Sequence, residues 1–157
     1  MSLVAEYRDA RSREESARLR RVLALRALSA TGSSQREIAA ALGVSQSAVS
    51  QQLKAARDFA DVHPEVLLKA ASPILVDVAR SKGFDRLAVF GSVARGHARP
   101  DSDIDLLVEA PAGSAIKELV ELRDTFREIL GRPVDLITYG GLKAVIDDDI
   151  RSEAVLL

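Results

Sequence analysis

Two carboxylates stand one residue apart at the head of an apolar run: Asp103 and Asp105 in Asp103-Ile104-Asp105-Leu106-Leu107-Val108. If that run is a β-strand, successive side chains point to opposite faces, so the two acids share one face and Ile104, Leu106 and Val108 share the other. Their Cα atoms are then roughly 6.5 to 7 Å apart, close enough to converge on one metal ion or on a pair about 3.5 to 4 Å apart. Like charges so placed repel and call for a cation. The chain has no Cys and only 2 His, so hard oxygen ligation of Mg2+ is the chemistry they suit. A solvated turn is the competing reading, since Pro100-Asp101-Ser102-Asp103 is good turn chemistry. Asp105, inside the apolar run, argues against it.

Gly91-Ser92 follows a shorter apolar run, Leu87 to Phe90, and precedes the helix-competent Val93-Ala94-Arg95. A small pair in that position lets backbone N–H groups and a hydroxyl approach a phosphate closely. A third acid, Asp135, lies within Val134-Asp135-Leu136-Ile137. On a strand it shares a face with Ile137 against Val134 and Leu136, and its burial would be costly without a partner. It fits a carboxylate that holds a metal or deprotonates an incoming hydroxyl, and it also fits a strand-end acid paired with Arg or Lys.

Together Gly91, Ser92, Asp103 and Asp105 read G-S-x10-D-x-D, which resembles the signature of the nucleotidyltransferase fold related to DNA polymerase beta. The fuller wording GSVARGHARPDSDIDLLV, within roughly residues 66–157, resembles the minimal nucleotidyltransferases, the MNT group found as antitoxins beside HEPN-domain toxins. The resemblance implies a Mg2+-dependent enzyme, with two ions expected, that transfers AMP from ATP to a tyrosine of a HEPN toxin. Gly91 and Ser92 would bind the nucleotide, with Arg95 an added charge partner, and Asp103, Asp105 and Asp135 would be metal-binding and catalytic. It also implies a homodimer or a hetero-oligomer with the toxin. Three other readings stay open: a DNA-binding regulator whose transferase domain only senses nucleotide, a binding antitoxin without turnover, or an enzyme that modifies a small molecule such as an aminoglycoside.

The elements that must position these residues fall into two unlike halves. Residues 1–60 hold 10 Lys and Arg against 6 Asp and Glu, a net +4, whereas residues 61–157 hold 12 against 17, a net −5. A basic front and an acidic back suggest two jobs. No window is apolar enough to span a bilayer, the start MSLVAEYRDARSREE is too acidic for a signal peptide, and the lack of Cys suits a reducing compartment. A cytoplasmic chain with no membrane partner is expected.

In the basic half, helical spacing of Leu19, Val22, Leu23, Arg26 and Ala27 predicts a helix from about Arg13 to Ala30. Ser34 can cap a second helix, Gln35 to Leu42, with Glu37 completing a capping box. Gly43 breaks it, Val44 is expected to pack inward, and Ser45 caps a third helix from Gln46 to about Phe59. Ile38, Ala39, Val49 and Leu53 supply the core of a helix-turn-helix. SQREIAAALGVSQSAVSQQLKAAR resembles that motif in bacterial repressors, where the second helix enters the major groove by its first turn. Gln46, Ser47, Ser50 and Gln51 would then face base edges of an operator, and Arg36, Ser45, Lys54 and Arg57 would meet phosphates. A helical bundle serving only as an oligomerisation surface is the plainer alternative.

ADVHP, residues 60–64, reads as a linker with Pro64 opening a helix, and Ser72-Pro73 predicts a kink or restart. Ser114 is expected to cap a helix to about Leu130 whose buried side includes Ile116, and Gly141 to Leu157 fits a closing amphipathic helix. His97 lies in the motif loop, and His63 carries no signal. The fold class is α+β: a helix-turn-helix domain over residues 1–60, then a small polymerase-beta-like nucleotidyltransferase domain over residues 61–157, a short mixed sheet with helices packed on it.

Overall fold

The computed structural model describes residues 2–55, 59, 61–141 and 148–157. Helix α1 spans Leu3–Ala30 and begins well before Arg13, where periodicity alone would start it. Its first turns bury nothing, so no apolar stripe marks them. They are laced instead by one-turn ion pairs, Asp9 with Arg13 at 2.8 Å and Arg11 with Glu15 at 3.1 Å, the spacing at which opposite charges support a helix.

Helix α2, Gln35–Leu42, carries the expected capping box: Glu37 N–H donates to Ser34 Oγ while the Glu37 carboxylate accepts from the Ser34 N–H. Gly43 ends it in the left-handed region, φ 67°. Helix α3, Gln46–Ala55, follows, with Ser45 Oγ accepting from the Ala48 N–H. Residues 56–58, and with them Arg57, lie outside the described residues. Val44 does not pack inward but is 42% exposed. The small core is Ile38, Ala39 and Val49 with Leu25 of α1, and Leu53 packs against it.

Helix α4, Pro64–Ser81, runs through Pro73 without a restart. Ser72 Oγ donates back to the Leu68 carbonyl, and the helix is held by the apolar face through Leu67, Leu68, Ala71, Leu75 and Val78. Strand β1, Asp85–Phe90, leads into the single turn α5, Gly91–Ala94, then strand β2, Ile104–Glu109, helix α6, Ile116–Leu130, and strand β3, Val134–Thr138. Ala115 rather than Ser114 sits at the α6 N-cap, and Ile116 is exposed rather than buried. A 3-10 turn covers Tyr139–Gly141.

The tail is not one closing helix. Leu142, Val145, Ile146 and Asp147 lie outside the described residues, helix α7 covers Asp148–Glu153, and Val155–Leu156 form strand β4. Val155 is a strand residue because it pairs with Val89 on the free edge of β1.

The sheet order is β3-β2-β1-β4. β1 is antiparallel to β2 and β4, whereas β2 and β3 are parallel, with α6 as the crossover. Leu67 and Leu75 of α4, Leu122 and Phe126 of α6, and Leu106 and Val108 of β2 form the main core, and Leu23 and Ala27 of α1 belong to it. The fold is α+β, and α1 is shared: one side meets the helix-turn-helix and the other covers the sheet-bearing unit.

Candidate active site

Parallel pairing of β2 with β3 sets Asp105 opposite Asp135, one step in from Ile104 opposite Val134. The two acids come from residues far apart in sequence and meet because α6 returns the chain alongside β2. On the other side Phe90 pairs with Asp105, so the next residue, Gly91, turns the chain directly over that carboxylate. Gly91 has φ +72°, and a Cβ built on it would collide with Asp105 Oδ2 and lie 3.1 Å from its Cγ. Only glycine permits both the backbone and the approach. Ser92 is half-buried beside it in α5. Asp103 stands just before β2, exposed, and Asp135 is exposed too rather than buried, while Asp105 is half-buried.

Burial pushes the Asp105 carboxyl up, and Asp135 adds to this by its charge and a carboxyl-to-carboxyl hydrogen bond. Asp103 adds further charge and Arg95 pulls the other way, leaving the group at about 6. A carboxylate half-buried beside a second one on the neighbouring strand is the feature against which a cation can be tested. The donors are carboxylate oxygens throughout, the set a hard divalent ion such as Mg2+ takes, and a cation there would relieve the crowding that raises Asp105. Among the described residues no three acidic or imidazole side chains already close round a point, so an ion would have to draw Asp103 in from solvent. In donor chemistry the three carboxylates suit a hard divalent ion.

Arg95 caps the C-terminal end of α5, and its Nη1 donates to both Glu153 oxygens at 3.1 Å. It thus lies between the carboxylates and α7. His97 is exposed in the loop. Sequence reasoning missed Glu153, and it missed His63 and Arg132, which bind the loop between α5 and β2. His63 Nε2 lies 3.1 Å from the Ala98 carbonyl, and Arg132 Nη1 donates to the Pro100 carbonyl at 2.6 Å. No local pattern marks partners 35 and 32 residues apart.

The second group of predicted residues gathers on α2 and α3. Gln46, Ser47, Ser50, Gln51 and Lys54 line a shallow hollow of about 410 Å³, and Gln35, overlooked in the sequence, completes it. Arg36 is exposed on α2, and Ser45 is exposed with its hydroxyl engaged as the α3 cap.

A family model described as a nucleotidyltransferase domain matches residues 74–157, and one described as Sigma-70, region 4 matches residues 16–58. A Methanocaldococcus jannaschii protein described as a candidate protein adenylyltransferase is 37% identical over 81 residues, 52% of this chain and 87% of its own. The protein adenylyltransferase MntA of Thermococcus cleftensis is 36% identical over 73 residues, 46% of this chain and 74% of its own. A solved structure described as a candidate minimal nucleotidyltransferase superposes with a TM-score of 0.55 at 34% identity, covering 59% of this chain and 95% of that one.

Proposed function

The chain belongs to the nucleotidyltransferase domain family, and we propose that it is a Mg2+-dependent protein adenylyltransferase, an antitoxin that transfers AMP from ATP to a tyrosine hydroxyl of a cognate HEPN toxin. The observation that carries this reading is the meeting of Asp105 with Asp135 across β2 and β3, with Gly91 turned over Asp105. Relatives named as protein adenylyltransferases favour a protein acceptor and an adenylyl group.

Gly91 and Ser92 hold the triphosphate tail, and Arg95 exchanges Glu153 for a phosphate oxygen. Asp103, Asp105 and Asp135 would hold Mg2+, two ions in the full reading, and the metal would supply charge stabilisation to the phosphates. Asp135, exposed on β3, takes the proton of the incoming hydroxyl. The hydroxyl oxygen bonds to the α-phosphorus, the bond from that phosphorus to the bridging oxygen breaks, and pyrophosphate leaves with the electron pair. The modified tyrosine loses its hydroxyl donor and gains a bulky anion, enough to disable a catalytic or RNA-binding surface.

The front unit reads DNA. The Sigma-70 region 4 match and the polar hollow on α2 and α3 support operator binding through Gln46, Ser47, Ser50 and Gln51, flanked by Arg36, Ser45, Lys54 and Arg57. We assign DNA recognition to residues 1–60 and transfer to residues 61–157, in a homodimer or a complex with the toxin that represses its own operon. Among the described residues no helix is long and apolar enough to cross a membrane, and ATP, DNA and toxin are all met in the cytoplasm.

Mass spectrometry of the cognate toxin after incubation with ATP and Mg2+ tests the reading. An adenylyl adduct on tyrosine that appears only with the active chain is expected. Neutralisation of the toxin with no adduct would replace the enzyme by a binding antitoxin.

A further inference from the structure

The loop from Arg95 to Ser102 joins the phosphate turn to Asp103, and its start is held to α5 by the Gly96 and His97 N–H groups, which donate to the Val93 and Ser92 carbonyls. Its internal bonds are few: Ser102 Oγ accepts from the Arg99 N–H at 2.7 Å, and the Ser102 N–H donates to the Arg99 carbonyl at 3.0 Å. Two side chains from outside grip its backbone. Arg132, 8% exposed at the mouth of β3, reaches the Pro100 carbonyl with Nη1 and the Phe59 and Val62 carbonyls with Nη2. It therefore ties the loop to the linker that leaves the helix-turn-helix. His63 ties the same two segments again. Its Nδ1 lies 3.3 Å from the Glu65 N–H as the N-cap of α4 and 3.5 Å from the Glu65 carboxylate, and in the tautomer that accepts from this N–H the ring proton on Nε2 donates to the Ala98 carbonyl at 3.1 Å.

The linker end of this clasp is itself fixed. Phe59 is buried, with the Arg26 guanidinium 4.5 Å above its ring, and Arg26 Nη1 donates to the Ile129 carbonyl at the end of α6. Helix α1, the linker and the loop thus form one scaffold. Asp103 is exposed; the buried Ile104 after it, whose N–H donates to the Pro133 carbonyl, fixes it on the strand side, and the loop sets how the chain approaches it from the other side.

We propose that His63 and Arg132 are positioning residues of the nucleotidyltransferase site, holding the Ala98–Pro100 loop to the interdomain linker so that Asp103 stands ready to share a cation with Asp105 and Asp135. The inference rests on the metal-site reading above. Neither residue touches substrate. A misplacement of about 1 Å in such a site can cost about a hundredfold in rate.

His63 permits a test that separates its two bonds, because the Asn amide reproduces the Nδ1 position and the Gln amide the Nε2 position. His63→Asn keeps the α4 cap and loses the loop, whereas His63→Gln loses the cap and keeps the loop. Binding of Mn2+ in the presence of ATP, followed by electron paramagnetic resonance on the full chain, is the readout, with amide hydrogen exchange over residues 97–103 beside it. His63→Asn is expected to weaken Mn2+ binding about five- to tenfold and to speed exchange in the loop, with His63→Gln close to wild type. Arg132→Lys, which cannot fork between loop and linker, is expected to behave as His63→Asn does. Weakened binding in His63→Gln with normal binding in His63→Asn would make His63 a helix cap alone and overturn the proposal, as would unchanged binding in all three variants. No Mn2+ binding by wild type would overturn the metal-site reading and this proposal together.

Discussion

Asp105 and Asp135 face each other across the parallel β2–β3 ladder, the first half-buried and the second exposed. Asp105 is the less exposed and sits at about 6, against about 3.9 for an unfolded Asp. The folded state therefore binds the Asp105 proton more tightly than the unfolded state, and the linkage has a definite sign. The advantage is complete below about pH 3.9 and is lost as pH rises through about 6. In EDTA, Asp105→Asn should melt at a higher temperature than wild type at pH 7.5, and the gain should shrink at pH 4.5. Equal shifts at both pH values would mean that Asp105 titrates like an exposed carboxyl.

The same residue explains the glycine before it. Gly91→Ala places a methyl group against the Asp105 carboxylate and forces a side chain into a positive φ. It should cost about 1 kcal/mol of backbone strain and reduce transfer about a hundredfold or more, the scale seen when a charge-stabilising group is misplaced. Gly113→Ala is the control, since Gly113 also has a positive φ, +77°, but nothing lies within 4 Å of its added Cβ. If both variants lost activity alike, the strain and not the contact would be responsible.

Asp103→Asn with Asp105→Asn should remove metal-dependent transfer while leaving operator binding intact. The double variant removes two carboxylates of the proposed metal site and no apolar contact. Calorimetric titration with Mg2+ and ATP, run beside a DNA-binding assay, checks both halves. Transfer that survived would move the metal site elsewhere.

What could be read early depended on distance along the chain. The spacing of Asp103 and Asp105, and of Gly91-Ser92 before them, is local, and strand periodicity predicts a shared face for the two acids, of which β2 itself contains Asp105. Asp135 could be singled out as an acid in an apolar run, yet its pairing with Asp105 depends on strand register, which a single run of residues does not encode. Its exposure followed for the same reason, because β3 is an edge strand. His63, Arg132 and Glu153 were invisible because they act on carbonyls or side chains 32 to 73 residues away. The tail around Val155 is apolar at helical spacing, yet the open edge of β1 takes Val155 into the sheet. The capping box of α2 needed nothing beyond residues 34 to 37 and was legible in full.

Leu23 is fully buried, and it sits on the helix that also supplies Leu25 to the core of the helix-turn-helix. Leu23→Ala should therefore cost about 2–5 kcal/mol and lower the melting of both units together. Differential scanning calorimetry would show one transition displaced to lower temperature. Two transitions, with only the later one shifted, would mean that α1 does not couple the units. By the same argument residues 61–157 alone, stripped of Leu23, Ala27 and Phe59, should be markedly less stable than the full chain.

On the proposed reading each chain would present one recognition surface, Gln46 to Gln51 on α3, and one such helix spans only a few base pairs. Specific repression therefore calls for two copies on a two-fold site. Gln35, Gln46 and Gln51 share the hollow with Ser47 and Ser50, a face rich in amides that can pair with adenine edges. Gln46→Ala with Gln51→Ala should weaken the upstream operator by about 1–3 kcal/mol per lost base contact while leaving random DNA nearly unaffected. Lys54→Ala should instead weaken both alike and flatten the salt dependence, because a phosphate contact carries no sequence information. Footprinting across a salt series on the region upstream of the gene, with and without the partner, decides between them. Two protected half-sites one helical turn apart are expected, and a single half-site or no protection would remove the repressor role while leaving the transferase site untouched.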